Sequence, residues 1–68
     1  MPKLHSSRHI ITVLLRHGFV EVSQRGSHKK FRNAERIVIV PDPRKGIPLG
    51  TFFSIVRQSG LRREDFED

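Results

Sequence analysis

Gly26–Phe31, with the sequence GSHKKF, predicts a tight turn followed by the start of a β-strand. Glycine and serine favour the turn, and side chains alternate between the two faces of the strand that follows. The alternation places His28, Lys30 and Arg32 on one face. Phe31 lies on the other face, where it would reach the core. A residue type that moves protons near neutral pH thus stands among fixed positive charges, a combination that suits chemistry on a phosphodiester.

Two further strands are predicted on either side of this one. The first runs from about Phe19 to Arg25, and the strand after the turn runs from about His28 to Arg32. Residues 33–35 form a second turn. The third strand runs from Arg36 to Pro41 through Ile-Val-Ile-Val, the most β-favouring run in the chain. We expect the three strands to form an antiparallel sheet.

Regular alternation in the first strand would separate its apolar residues from its polar ones. Val20 and Val22 would share one face. The other face would carry Glu21, Ser23 and Arg25. Arg25 is therefore a candidate to add positive charge close to the turn.

A helix is predicted before the strands. A hydroxyl of Ser6 or Ser7 can cap its N-terminus, and Gly18 ends it, because glycine accepts the left-handed conformation there. Between them, apolar residues recur at helical spacing along one stripe, namely Ile10, Ile11, Leu14 and Leu15. His17, beside the C-terminus, is expected to interact with the last carbonyl groups of the helix.

The segment after the third strand is predicted to be a loop over residues 42–48, since its two prolines and its glycine break any ladder. A second helix is expected to begin near Gly50-Thr51 and to end at Gly60. Its apolar face carries Phe52, Ile55 and Val56. The last segment, from Arg63 to Phe66, would form one frayed turn.

The predicted order of elements is therefore helix, three strands, helix. Two helices that cover one face of a three-stranded antiparallel sheet make a small α+β fold and leave the other face open to solvent. With 68 residues, the chain is expected to form a single domain over residues 1–68.

Composition excludes several function classes and favours an anionic partner. Cysteine is absent, which excludes a disulfide, a thiolate zinc site and a thiol nucleophile. No apolar run approaches the roughly 18 residues that span a bilayer, and no signal peptide is evident, so we expect a cytoplasmic protein without a membrane partner. The net charge is +6, and residues 1–61 carry 11 basic against 3 acidic residues. Because the basic residues cluster on the predicted hairpin, a nucleic acid is favoured over a role in solubility alone.

His28 is the candidate catalytic residue. Cleaving RNA needs a base to take a proton from the 2′-hydroxyl, an acid to protonate the leaving 5′-oxygen, and positive charge to stabilise the phosphorane. Imidazole can serve in either proton transfer, and the cations that could supply the charge are Arg25, Lys29, Lys30 and Arg32. From spacing alone, His28 could equally be a solvated strand residue without a task. Lys45, in the loop, could contact a phosphate backbone or simply be solvated.

Two further histidines have the spacing of metal ligands. His5 and His9 lie four residues apart, as two ligands on one helix face do. No third ligand of a suitable type lies near them in the sequence, so two exposed imidazoles are the favoured interpretation. We therefore expect neither a metal nor another cofactor.

Five short motifs follow one another in a fixed order. They are Leu14-Leu15-Arg16-His17-Gly18-Phe19, Gln24-Arg25-Gly26-Ser27-His28-Lys29-Lys30-Phe31-Arg32, Val40-Pro41, Ile47-Pro48-Leu49-Gly50-Thr51 and Ile55-Val56-Arg57-Gln58-Ser59-Gly60-Leu61. Together, with these gaps, they resemble the HicA family of mRNA interferase toxins, also called YcfA-like. The resemblance extends over about Ser6 to Phe66.

The resemblance implies a fold like that of a double-stranded-RNA-binding domain. It also implies a toxin that cleaves mRNA through the histidine of its Gly-Ser-His motif, here His28. Ser27 and the basic residues named above are the candidate RNA-binding residues. The implied protein partner is a cognate HicB antitoxin that covers the active surface, and the free toxin is expected to be a monomer or a weak homodimer.

Three positions depart from the family pattern. Many relatives carry a histidine shortly after the Val-Pro pair, where this chain has Asp42-Pro43, and a second histidine after the catalytic one, where this chain has Lys29. Arg62 stands where a capping Ser or Thr is usual, which costs the last turn about 1 kcal/mol.

Two alternatives to a ribonuclease stay open: an RNA-binding module without catalysis, and an interaction protein that acts only within a complex.

Overall fold

The computed structural model describes residues 3–67, which fold in the order helix, three strands, helix and a short 3₁₀ turn. The elements are α1 (Ser7–Arg16), β1 (Val20–Arg25), β2 (His28–Asn33), β3 (Arg36–Pro41), α2 (Leu49–Ser59) and the 3₁₀ turn Arg63–Phe66. The predicted α+β class and the predicted order of elements are confirmed. The single domain over residues 1–68 stays a prediction, and residues 1, 2 and 68 lie outside the described part.

The three strands form one antiparallel sheet in the order β1-β2-β3, so β2 is central. Pairing between β2 and β3 is regular and runs from His28 opposite Pro41 to Asn33 opposite Arg36. Phe31 stands opposite Val38, and both side chains are fully buried. This pair marks the face of the sheet that lies against the helices.

A β-bulge in β1 changes which of its residues share a face. Glu21 stands opposite Phe31, but the next paired residue is Ser23, opposite Lys30, so Val22 is an extra residue. A bulge shifts the alternation by one position. The prediction that Val20 and Val22 share a face, with Glu21 and Ser23 on the other, is therefore wrong. Val20 lies on the same face as Ser23, while Glu21 lies on the helix face.

The hydrophobic core lies between the helices and the part of the sheet formed by β2 and β3. It consists of Ile10, Val13, Leu14, Phe19, Phe31, Val38, Val40, Ile47, Phe52, Ile55 and Phe66. All six residues of β1 are exposed, including Val20 and Val22. The helices therefore leave β1 uncovered, and the β1–β2 hairpin extends beyond the packed part of the domain.

The ends of α1 follow from local hydrogen bonds. Ser6 is the capping residue, since its Oγ accepts a hydrogen bond from the His9 backbone N–H at 3.1 Å. After Gly18, the Phe19 backbone N–H donates to the Leu14 carbonyl at 3.0 Å and closes the helix. The predicted contact of His17 is confirmed, because its Nδ1 lies 2.9 Å from the Val13 carbonyl oxygen.

α2 begins at Leu49, close to the predicted start, and ends at Gly60, which has a left-handed φ of 72°. Near its C-terminus, the Gln58 side chain accepts a hydrogen bond from the backbone N–H of Ile39 in β3 at 3.2 Å. The contact ties the last turn of α2 to the outer edge of the sheet. No helix within residues 3–67 is long and apolar enough to cross a membrane.

The last turn is ordered by its contacts, so the prediction of a frayed turn is wrong. Phe66 is fully buried and its ring meets the ring of Phe52 edge-on, with centroids 5.5 Å apart. His9 Nε2 lies within hydrogen-bonding distance of the Phe66 carbonyl oxygen. The Arg62 backbone N–H donates to Asp65 Oδ2 at 2.8 Å, which stabilises the turn without a capping Ser or Thr.

Replacing Phe66 should measure how much this turn contributes to stability. Because its ring is fully buried, Phe66→Ala should lower the free energy of unfolding by about 3–5 kcal/mol. Phe53, which is 44% exposed, offers a matched control, and Phe53→Ala should cost about 1 kcal/mol or less. Urea unfolding followed by circular dichroism gives both values, with Phe66→Leu as the variant to use if Phe66→Ala does not fold. Equal losses in Phe66→Ala and Phe53→Ala would contradict the docking of the turn.

Candidate active site

The uncovered face of the sheet, called the open face below, gathers the central part of the predicted site. From β2 it carries His28, Lys30 and Arg32, which alternate along the strand about 7 Å apart. The register adds neighbours from both edge strands, namely Val20, Ser23 and Arg25 from β1 and Ile37, Ile39 and Pro41 from β3. The prediction that Phe31 faces the core while His28 faces solvent therefore describes the structure correctly.

His28 is exposed and is the first residue of β2. It stands opposite Arg25 on one side and opposite Pro41 on the other. The turn before it is tight because Gly26 adopts a φ of 59°, a conformation that favours glycine. The imidazole is thus held at one end of the sheet, where a ligand can reach it from solvent.

A shallow depression of about 460 Å³ surrounds the imidazole on the open face. It is lined by Ser23, Arg25, His28, Lys30 and Ile39. The structure therefore brings Arg25 and Lys30 together with His28. Arg32 lies on the same face but one alternation further along β2, where its Nε donates a long hydrogen bond to the Ala34 carbonyl at 3.4 Å.

The open face carries positive charge that no acidic residue of the strands on that face balances. Of the strand residues that the register places there, Arg25, Lys30 and Arg32 are basic and none is acidic. Like charges within about one Debye length, roughly 8–10 Å, repel one another and are stabilised by an anion that spans them. The face is therefore built to attract a polyanion or an acidic protein surface.

Lys29 points to the other side of the sheet. Its Nζ lies 3.3 Å from Asp42 Oδ2 and 4.0 Å from Glu21 Oε1, and its side chain is 24% exposed. The structure thus separates Lys29 from the open face and from the RNA-binding candidates that lie there. Its contact with RNA stays a prediction that this geometry does not support.

In the sequence, Asp42 is marked only by its departure from the family pattern. Its Oδ1 accepts a hydrogen bond from Ser7 Oγ at 2.6 Å, and its backbone N–H donates to the Ser27 carbonyl at 2.8 Å. The hydrogen bond from Ser7 holds the pKa of Asp42 below its ordinary value, and Lys29 adds to this effect, against the opposing effect of partial burial. Ser7 and Asp42 are 35 residues apart, so no local pattern signals the contact.

Ser27 and Lys45 take different positions relative to His28. Ser27 is exposed in the turn directly before His28, and its carbonyl accepts the hydrogen bond from the Asp42 backbone N–H. Lys45 lines a separate depression beside the N-terminus of α1, together with Lys3, His5 and His9. Lys45 is therefore not part of the His28 depression, and its contact with RNA stays a prediction.

The predicted pair of exposed imidazoles at the start of α1 is partly packed. The rings of His5 and His9 are stacked with centroids 4.9 Å apart, and the His5 ring also contacts Phe52. Burial, followed by the proximity of His9, lowers the pKa of His5. Among residues 3–67, no three His, Cys, Asp or Glu side chains are grouped so that they could hold a metal ion.

The fold and the open face together define a small α+β protein. The helices cover one face of its sheet, and the other face is cationic and carries a histidine. A family model described as "HicA toxin of bacterial toxin-antitoxin" matches residues 7–61, and the chain belongs to this family. It is thus a toxin-type protein of a bacterial toxin–antitoxin system, a context that includes an antitoxin partner. A search of curated proteins found no match.

The lowered pKa of Asp42 makes the stability of the fold depend on pH in a defined direction. The ionised carboxylate stabilises the fold fully above the ordinary aspartate pKa of about 3.9, and this contribution is lost as the pH falls toward the lower folded value. Asp42→Asn should therefore lower the melting temperature near neutral pH and converge with the wild type in acid. Thermal melts of both proteins across the acid range measure this.

Glu21→Gln is the matched control for this titration, because Glu21 also lies near Lys29 but at 4.0 Å and on the exposed strand β1. It should change the acid dependence much less than Asp42→Asn does. An Asp42→Asn protein that loses stability in acid as steeply as the wild type would show that Asp42 is not the group responsible.

Proposed function

We propose that this protein is a metal-independent endoribonuclease that cleaves mRNA as the toxin of its toxin–antitoxin pair. One observation supports the proposal above the others: the exposed imidazole of His28 shares a depression with Arg25 and Lys30 on an uncovered sheet face. Membership of the HicA toxin family supports the same function. The proposed mRNA substrate implies that the protein acts in the cytoplasm.

The proposed reaction is attack of the ribose 2′-oxygen on the adjacent phosphorus. A bond forms between O2′ and phosphorus, the bond from phosphorus to O5′ breaks, and the products carry a 2′,3′-cyclic phosphate and a 5′-hydroxyl. His28 takes the 2′-hydroxyl proton, and the imidazolium so formed is a suitable acid for the leaving 5′-oxygen. No metal is needed for either proton transfer.

The cations of the open face supply the charge that this reaction needs. Arg25 stands opposite His28, and Lys30 lines the same depression. In the proposed reaction both would stabilise the negative charge that grows on the phosphoryl oxygens. Arg32 continues the row and would contact a neighbouring phosphate of a single strand that runs along β2, while Ser27 would contact the strand at the turn.

The same face is the proposed docking surface of a HicB-type antitoxin. An acidic surface would neutralise Arg25, Lys30 and Arg32 and cover His28 at the same time. This explains how one partner could block binding and chemistry together. The free toxin is proposed to be a monomer or a weak homodimer.

An RNA-binding module without catalysis is the second candidate. His28 is the only histidine that the register places on the open face, since His5, His9 and His17 belong to α1 or to its ends. A protein with one imidazole must use it for both proton transfers or leave one to water. This candidate predicts salt-sensitive binding of RNA that stays intact.

Replacing His28 separates the two candidates. His28→Ala should lower the cleavage rate by at least about 100-fold, since it removes the proposed acid–base group, while the circular dichroism spectrum is unchanged because the side chain is exposed. The assay follows a single-stranded transcript on a gel in the presence of EDTA. His9→Ala serves as the histidine control, judged at a temperature at which it is folded. Cleavage by His28→Ala at the wild-type rate would rule out the proposed mechanism.

Replacing Lys30 tests the contact between the open face and phosphate. Lys30→Gln should weaken RNA binding and reduce the slope of log affinity against log salt concentration by about 0.7, the value for one phosphate contact on a single strand. Arg57→Gln removes one charge from the exposed side of α2, away from the open face, and should leave the slope unchanged. Fluorescence anisotropy of a labelled oligonucleotide, bound to His28→Ala protein to prevent cleavage, gives both slopes. Equal slopes for Lys30→Gln and Arg57→Gln would remove Lys30 from the RNA interface.

A further inference from the structure

His28 stands at the end of β2, next to the uncovered strand β1. Every residue of β1 is exposed, and the Gly26-Ser27 turn precedes His28 directly. The buried anchor of β2 is Phe31, three residues further along the strand. Contacts other than core packing therefore contribute to holding the chain around His28.

Asp42 is bonded to the residue on each side of His28 in the chain. Its backbone N–H donates to the Ser27 carbonyl at 2.8 Å, and its Oδ2 lies 3.3 Å from Lys29 Nζ. Asp42 thus holds the main chain before His28 and the side chain after it. Lys29 can make this contact because alternation turns it away from the open face.

Asp42 is in turn attached to the packed part of the domain through Ser7. Ser7 is the first residue of α1 and is only 2% exposed. Its Oγ donates to Asp42 Oδ1 at 2.6 Å and accepts a hydrogen bond from the Arg44 backbone N–H at 2.9 Å. The Ser7 backbone N–H donates to the Arg44 carbonyl at 2.9 Å. These bonds fix the start of the loop after β3 against the helix.

We propose that Asp42 is a positioning residue for His28: together with Ser7 and Lys29 it forms a clasp that fixes the chain on both sides of the imidazole. The proposal rests on the ribonuclease function proposed above. The clasp keeps the imidazole at a constant distance from Arg25 and Lys30, so proton transfer and charge stabilisation act on the same phosphate. Lys29 contributes by holding the strand and does not touch RNA.

A role of Lys29 in binding RNA would predict the opposite effect of Asp42→Asn on kcat/KM. If Lys29 bound phosphate, Asp42 would compete with RNA for its ammonium group. Asp42→Asn would then release Lys29 and lower KM. If Lys29 belongs to the clasp, Asp42→Asn loosens the chain around His28 and lowers kcat with little change in KM.

The test compares Asp42→Asn, Lys29→Met, their double variant and Glu21→Gln in the cleavage of a fluorescent single-stranded RNA oligonucleotide. Asp42→Asn and Lys29→Met should each lower kcat by about 10- to 100-fold, the cost of a displaced catalytic group, with KM within about twofold of the wild type. Because both act through one contact, the double variant should be no slower than the slower single variant. Glu21→Gln should match the wild type. Ser7→Ala removes the side-chain bond to Asp42 but keeps the backbone bond from Ser7 to Arg44, so it should reproduce the kcat loss of Asp42→Asn in weaker form.

Amide hydrogen exchange by NMR gives a readout that does not depend on activity. The protection factor of the residue 42 amide, which donates to the Ser27 carbonyl, should fall in Asp42→Asn by more than that of the Phe31 amide in the core, whose change reports the loss of global stability. This larger loss of protection combined with a lower kcat and a constant KM supports the clasp. A residue 42 amide that loses no more protection than the Phe31 amide, an unchanged kcat or a lower KM would each overturn it. A wild-type protein that cleaves no RNA would instead end the proposed function, and the exchange rates would still show whether Asp42 holds the neighbours of His28.

Discussion

Burial of Phe31 is the constraint on which the rest of the structure depends. β2 is the central strand, and Phe31 is its one fully buried side chain. Because the two faces of a strand alternate, fixing Phe31 toward the helices fixes the side of every other residue in β2. A slip by one residue would bury Lys30 and expose Phe31, which costs both the hydrophobic contact and the desolvation of a charge. One aromatic ring therefore orients the whole cationic row.

As a consequence, the charged side chains on the two faces of β2 have different partners. The open face exposes His28 and Lys30 without a carboxylate nearby on the strands, so its charge is available to a partner. On the helix face, the charge of Lys29 is paired with Asp42. Two adjacent lysines of the same sequence motif thus have different surroundings: Lys29 is partly buried beside a carboxylate, and Lys30 is exposed on the open face.

Local patterns predicted the elements and the side of the sheet on which His28 lies, because turn residues, caps and alternation all act over a few positions. They missed the bulge at Val22. Because no residue of β1 is buried, no hydrophobic pattern shows which of its residues face the helices, with or without a bulge. They also missed the contact between Ser7 and Asp42 and the burial of Phe66. Both depend on parts of the chain that are distant in sequence and meet only after the helices pack on the sheet.

The hydrogen bond from Ile39 to Gln58 has a consequence for self-association. A three-stranded sheet has two borders, each with backbone groups that could pair with a strand of another molecule. Gln58 occupies the N–H of Ile39 midway along the β3 border, and the bulge at Val22 interrupts the regular spacing of the β1 border. Both borders are therefore poor templates for an added strand. In a protein this small, with one of its strands uncovered, both features disfavour edge-to-edge pairing of sheets from neighbouring molecules.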